Sequence, residues 1–186
     1  MPLKKLPYKK IQSLIGIHLT TKEYPAAGEL IKKLKTVKKR GYIKKSELEL
    51  ICRWKSARSI RHIERNNPGQ IKNRTSKALK TRSEKLKIEL LTSLLGVSIP
   101  MASAILTLID PKRYGVIDIR VWQLLHKMKT VSGKPCGVGF SFNNWYQYLM
   151  IIRYFAKVYN VTARDIDRTL FRVHALYQKG NLYKNF

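Results

Sequence analysis

The sequence predicts an all-α protein, on three observations. Apolar residues recur at three- and four-residue spacing along most of the chain. No stretch alternates apolar and polar residues over the length of a strand, and the Gly- and Pro-rich breaks fall between the periodic stretches. With 44% hydrophobic residues among 186, the chain can bury a core, and its length allows one compact domain or two small lobes; the expectation is a single all-α unit over 1–186.

The elements follow in order. Between Tyr24 and Arg40, residues Ala27, Leu30, Ile31 and Leu34 share a helical face, and Gly41 is the stop. Ser46 with Glu49 makes a capping-box pattern ahead of Leu48, Ile51 and Cys52. Residues 66–75, NNPGQIKNRT, read as a turn-rich break. Leu86, Leu90 and Leu94 mark the next helix, Met101, Ile105 and Leu108 the one after, and Val121, Leu124, Leu125 and Met128 another. Residues 129–143 hold Gly133, Pro135, Gly137 and Gly139 and form a loop whose Gly-Val-Gly is too short for a phosphate fingerprint. C-terminal helices occupy 144–178. The first carries Trp145, Tyr148, Leu149, Ile152, Ala156 and Tyr159 on one stripe and Ile151, Tyr154, Phe155 and Val158 on a second, which predicts a central helix. Thr162 with Asp165 caps the last, whose face is Ile166, Leu170, Val173 and Tyr177.

Charge narrows the partners. Lys and Arg number 38 against 11 Asp and Glu, a formal net charge of +27. Such a field attracts polyanions and makes their binding salt-dependent. Lys4, Lys5, Lys9 and Lys10 read as a flexible basic arm. No run approaches the ~20 apolar residues of a membrane span, and the N-terminus lacks the apolar core of a secretory signal. Cys52 and Cys136 are too few for a disulfide framework or a four-cysteine iron–sulfur cluster, and the four histidines show no metal-ligand spacing. The expectation is an intracellular monomer without a metal cofactor.

Residues 83–128 carry the chemistry. In Leu94-Leu95-Gly96-Val97-Ser98-Ile99-Pro100-Met101-Ala102, Gly96 supplies a sharp turn and Pro100 suits the first turn of a helix. Val97 plugs the turn into the core, and the turn with the following helix N-terminus offers backbone N–H groups to an anion. The bland alternative is a packing corner between two helices. Asp118, in Tyr114-Gly115-Val116-Ile117-Asp118-Ile119-Arg120-Val121-Trp122, stands 18 residues beyond Pro100 and ahead of an apolar helix. After residue 93 the chain has four carboxylates, Asp110, Asp118, Asp165 and Asp167, so few groups can serve acid–base chemistry there. Asp118 also sits where an N-cap belongs.

These two stretches together resemble the core of the helix–hairpin–helix DNA glycosylases, over about 35 residues. The resemblance implies two helical lobes with a cleft between them and double-stranded DNA as partner. It implies a phosphate grip by Gly96, Val97, Ser98 and Pro100, with a monovalent cation at the hairpin carbonyls, and Asp118 as the catalytic carboxylate facing C1′ of an extruded nucleoside. Pro100 stands where lyase members carry a lysine nucleophile, which implies a monofunctional enzyme leaving an intact abasic site. The chain departs from the family at Ser98, where a second glycine is usual, at Arg120, where His or Asn is frequent, and in lacking a proline just before Asp118. Candidates for the base pocket or DNA contacts are Trp54, Lys55, Arg58, Tyr114, Arg120 and Trp122, with Trp145 and Tyr146 as further aromatics. Core packing is the competing role for Trp122 and Trp145. A non-catalytic helix–hairpin–helix DNA-binding protein is the alternative, and an RNA-binding role a third.

Overall fold

The structure, a computed structural model, describes residues 6–178; it is all-helical, with no strand among those residues. The chain divides into two compact units. One is Glu23–Pro111; the other joins Met1–Lys22 to Lys112–Phe186, so that the first unit is an insertion in the sequence of the second.

The Glu23–Pro111 unit contains α2 (Pro25–Leu34), α3 (Val37–Arg40), α4 (Lys45–Ser56), a 3₁₀ turn at Ala57–Ser59, α5 (Ile60–Glu64), α6 (Pro68–Lys80), α7 (Glu84–Thr92) and α8 (Ile99–Ile109). α8 is its centre, packed against α2, α4 and α7. Met101 through Leu108 are all buried, as expected of a helix that is apolar on every side. Its two hydroxyls bond backwards within the helix, Ser103 Oγ to the Pro100 carbonyl at 2.8 Å and Thr107 Oγ1 to the Ser103 carbonyl at 2.7 Å. Ala27, Leu30 and Leu34 of α2 and Leu48, Ile51 and Cys52 of α4 complete the core. Gly41 closes α3 in the left-handed region at φ +79°.

Two boundaries and one buried face differ from the sequence reading. The 66–75 break is confined to its first residues, because Asn67 and Pro68 start α6 rather than interrupt a chain: the Asn67 carboxamide oxygen accepts from Gly69 N–H at 2.7 Å and Pro68 takes the first helical position. α4 begins before Ser46, where Glu47 accepts from the Lys44 N–H at 2.7 Å and is held by Arg40. In α7 the buried positions are Lys87, Ile88 and Leu91, and Leu86 is exposed. The buried Lys87 donates its ammonium to the Thr81 carbonyl.

The other unit contains α1 (Ile11–His18), α9 (Ile119–Lys127), α10 (Phe142–Val158) and α11 (Ala163–Tyr177). The predicted central helix is not α10. Of its second apolar stripe, Phe155 is buried and Ile151 half-buried, but Tyr154 and Val158 are exposed, and with Tyr146 and Met150 they form an outward row repeating every four residues. α11 takes the central place, against α1, α9 and α10, with every residue from Ala163 to Leu170 buried. Its four buried charges pair one turn apart: Arg164 Nη1 donates to Asp167 Oδ2 at 2.5 Å, and Arg168 pairs with Asp165. Asp165 also accepts from the Thr162 N–H and hydroxyl, at 2.9 and 2.6 Å, which forms the anticipated cap. The N-terminal segment is fixed to α11 through Arg168, whose Nη2 reaches the Thr20 carbonyl at 3.1 Å. Lys4 and Lys5 lie outside the described residues. Lys9 and Lys10 are exposed beside Tyr8, whose hydroxyl bonds His18 Nε2 at 2.6 Å, so the chain at this point is tied down rather than a loose arm.

Candidate functional site

The hairpin lies in the Glu23–Pro111 unit, between α7 and α8. Gly96 holds φ +80°, and a side chain there would meet His62 Cβ at 2.9 Å and Ile63 at 3.2 Å, so the position excludes a β-carbon twice over. Asn66 fixes the turn from behind. Its amide nitrogen donates to the Leu95 carbonyl and its oxygen accepts from the Leu95 N–H, both at 2.9 Å, as a peptide group in a ladder would. Val97 is buried. Ser98 is the exposed N-cap residue of α8, without a side-chain cap bond, and Pro100 follows at the second helical position. The first-turn N–H groups of a helix cannot be paired within it, and here they belong to Ile99 and Met101, since Pro100 has none.

Asp118 belongs to the second unit. It is half-buried and is the N-cap of α9, its Oδ1 accepting from the Val121 N–H at 3.1 Å. The residues leading to it, Tyr114 through Ile117, are buried. Gly115 permits this: a Cβ would lie 2.5 Å from Tyr148 Oη and 2.7 Å from both Asp167 Cβ and Ile152 Cδ1. Asp167 then anchors the strand of chain, accepting the Val116 N–H at 3.1 Å and the Tyr148 hydroxyl at 2.7 Å. Burial pushes the Tyr148 phenol well above its ordinary value; the charge of Asp167 adds to the rise and that of Asp118 contributes. Tyr148 is therefore a fixed donor beneath the Asp118 loop.

Arg120 turns toward α11 rather than outward. Its Nη1 donates to His174 Nδ1 at 3.4 Å, and its guanidinium carbon is 5.8 Å from the Phe171 ring centre. His174 is buried, with Nε2 3.2 Å from Gln123 Oε1, and burial together with the Arg120 charge lowers its pKa to about 4. The imidazole is neutral at pH 7, with Nδ1 the acceptor.

Among the aromatic candidates, Tyr114 is buried and stacks on Trp145 at 6.5 Å between ring centres. Trp122 is 1% exposed, donates Nε1 to the Lys134 carbonyl at 2.8 Å and meets Phe140 edge-on. It nonetheless lines a concavity of about 340 Å³ with Lys134, Phe140, Asn144 and the backbone of Gly137 and Gly139. The 129–143 loop, whose Gly-Val-Gly carries no phosphate fingerprint, forms this wall. At Gly137, φ +65°, a Cβ would sit 3.2 Å from both Ile119 Cα and Trp122 Cδ1, so the loop closes on the first turn of α9, next to Asp118. Trp54 and Lys55 are half-buried and Arg58 is exposed at the end of α4 and the turn after it, in the other unit. Tyr146 is exposed on α10 and stacks on Phe142.

The sequence reading missed Asp167, Tyr148, Arg164 and His174. Asp167 was visible as one of four carboxylates in its half, and the alternation Arg164-Asp165-Ile166-Asp167-Arg168 places opposite charges three apart on a helix. No helix among the described residues is long and apolar enough to cross a membrane, and no group of three or more His, Cys, Asp or Glu there could hold a metal ion. Compared with protein-family models, curated proteins and solved structures, the chain matches none.

Proposed function

We propose that the protein is a monofunctional DNA glycosylase, hydrolysing the N-glycosidic bond of a modified or mispaired base flipped out of duplex DNA. The observation that carries this reading is the setting of Asp118. A half-buried carboxylate at a helix N-terminus stands on a loop that Gly115, Asp167 and Tyr148 hold rigid, with the Trp122 concavity one helical turn further on. In this reading the ionised carboxylate stabilises the positive charge developing at C1′ and orients water. The extruded base enters the concavity, where Phe140, backed by the buried Trp122, supplies an apolar wall and Asn144 and Lys134 polar contacts.

The chain path agrees with this assignment of roles. The hairpin lies near the end of the inserted unit, and Asp118 comes seven residues after the chain leaves it at Pro111. The hairpin, with Ser98 exposed and the α8 N-terminus behind it, supplies N–H groups for a phosphate. Net charge of +27 supplies the attraction.

Incubation with a panel of oxidised, alkylated, deaminated and mismatched duplexes, followed by alkali, tests the reading. The expected outcome is strand cleavage only after alkali. With Pro100 in the lyase position, borohydride should trap no protein–DNA adduct; an adduct mapping to a lysine such as Lys55 would overturn the monofunctional assignment. The competing reading, a non-catalytic DNA-binding protein, draws on the capping bond from Asp118 to Val121, which gives the carboxylate a structural task without any chemistry. Release of no base from any duplex would select it.

A further inference from the structure

Four of the seven residues that line a second concavity in the Asp118 unit are cations. It is open, about 490 Å³, and lies between the 112–113 turn, the C-terminal half of α10 and the 160–161 turn. Lys112, Arg113, Arg153 and Lys157 line it together with Ala156, Asn160 and Val161; no lining residue is acidic. Like charges gathered around one hollow repel, and an anion between them relieves that repulsion.

The hollow is also held in shape before any ligand arrives. Arg153 Nε donates to the Arg113 carbonyl at 2.9 Å, and the two guanidinium carbons sit 5.0 and 5.5 Å from the centre of the buried Tyr114 ring. The Lys112 carbonyl accepts from the Ala163 N–H at 3.2 Å, which fixes the turn to the start of α11. The end of α10 would ordinarily present carbonyl oxygens, a poor surface for an anion. Here Asn160 adopts φ +52°, and the N–H groups of Tyr159 and Val161 take up the Phe155 and Ala156 carbonyls at 2.9 Å each. The charged groups that line the hollow are therefore all ammonium or guanidinium, the groups that pair with phosphate oxygens.

We propose that this hollow is a phosphate subsite, separate from the hairpin, that takes the phosphates of a DNA backbone. The inference rests on DNA as the partner but not on base excision. Lys112 and Lys157 are exposed, so Lys112→Gln/Lys157→Gln leaves the packing around Tyr114 intact. Lys32→Gln/Lys33→Gln, at two exposed positions on α2, removes the same charge elsewhere. Fluorescence anisotropy with a short duplex across a salt series should show the first variant losing about 1–2 from the log–log salt slope, with affinity down about tenfold at ~0.1 M salt. The second should lose less than half as much; equal losses would show a diffuse field and overturn the subsite. In parallel, the Arg153 Nε–H resonance should shift with duplex and with inorganic phosphate. Silence of that resonance toward both probes refutes the site. A response to inorganic phosphate without any duplex binding leaves a phosphate site but removes DNA as its source, and with it the proposed partner.

Discussion

At the scale of single residues, the molecule devotes its tightest packing to holding Asp118 rather than to enclosing it. Gly115 is the clearest case, since Tyr148, Ile152 and Asp167 leave no room for a methyl group. Gly115→Ala is expected to destabilise the fold by about 1–3 kcal/mol in urea unfolding, because α10 and α11 approach from rigid backbones and cannot yield cheaply. His174 gives a prediction in pH. Its ring stays neutral in the folded protein down to about 4, whereas the unfolded chain protonates near the ordinary imidazole value of 6.5. The unfolded state then binds more protons between those values, so stability falls as pH drops from 6.5 toward 4. The loss should be on the order of 2 kcal/mol. His174→Gln should flatten that part of the curve, and a wild-type unfolding midpoint unchanged between pH 7 and 5 would contradict the account.

At the scale of elements, the hairpin and α11 show what periodicity reveals and what it hides. The hairpin was legible, since Gly96 and Pro100 are backbone requirements written directly in the sequence. Its support was not: Asn66 lies 29 positions from Leu95 and nothing local marks it as the group that completes the turn. Asn66→Ala removes bonds to Leu95 N–H, the Leu95 carbonyl and the Ile63 carbonyl. A loss of about 2–3 kcal/mol is expected by thermal unfolding, with weaker duplex binding well below the midpoint, where the hairpin is loosened but the chain still folded. α11 misled for a different reason. Arg164, Asp165, Asp167 and Arg168 look like a solvated face, and α10 looks like the core because it carries two apolar stripes. The three-residue spacing of the charges pairs them along the helix, but only tertiary structure buries the pairs and turns Tyr146, Met150, Tyr154 and Val158 outward. The same limitation hid the 129–143 loop, whose glycines mark a turn in sequence but not the wall of a concavity beside Trp122.

At the scale of the whole molecule, apolar periodicity predicted an all-helical chain and composition a strongly basic one, and the structure adds which residues fall in which of its two units. Residues 23–111 fold as one unit within the sequence of the other, so the hairpin and Asp118 are consecutive in the chain yet belong to different units. In the proposed function the basic field supplies the attraction to DNA, and only the carboxylate distinguishes an enzyme from a binding protein. Asp118→Asn isolates that distinction, because asparagine caps a helix about as well as aspartate and leaves the Val121 bond in place. Single-turnover excision of the best lesion duplex, measured beside its binding, is the decisive experiment. The proposed function predicts that Asp118→Asn excises at least about 10²-fold more slowly while binding as tightly as wild type or tighter. Excision at the wild-type rate by Asp118→Asn would contradict it.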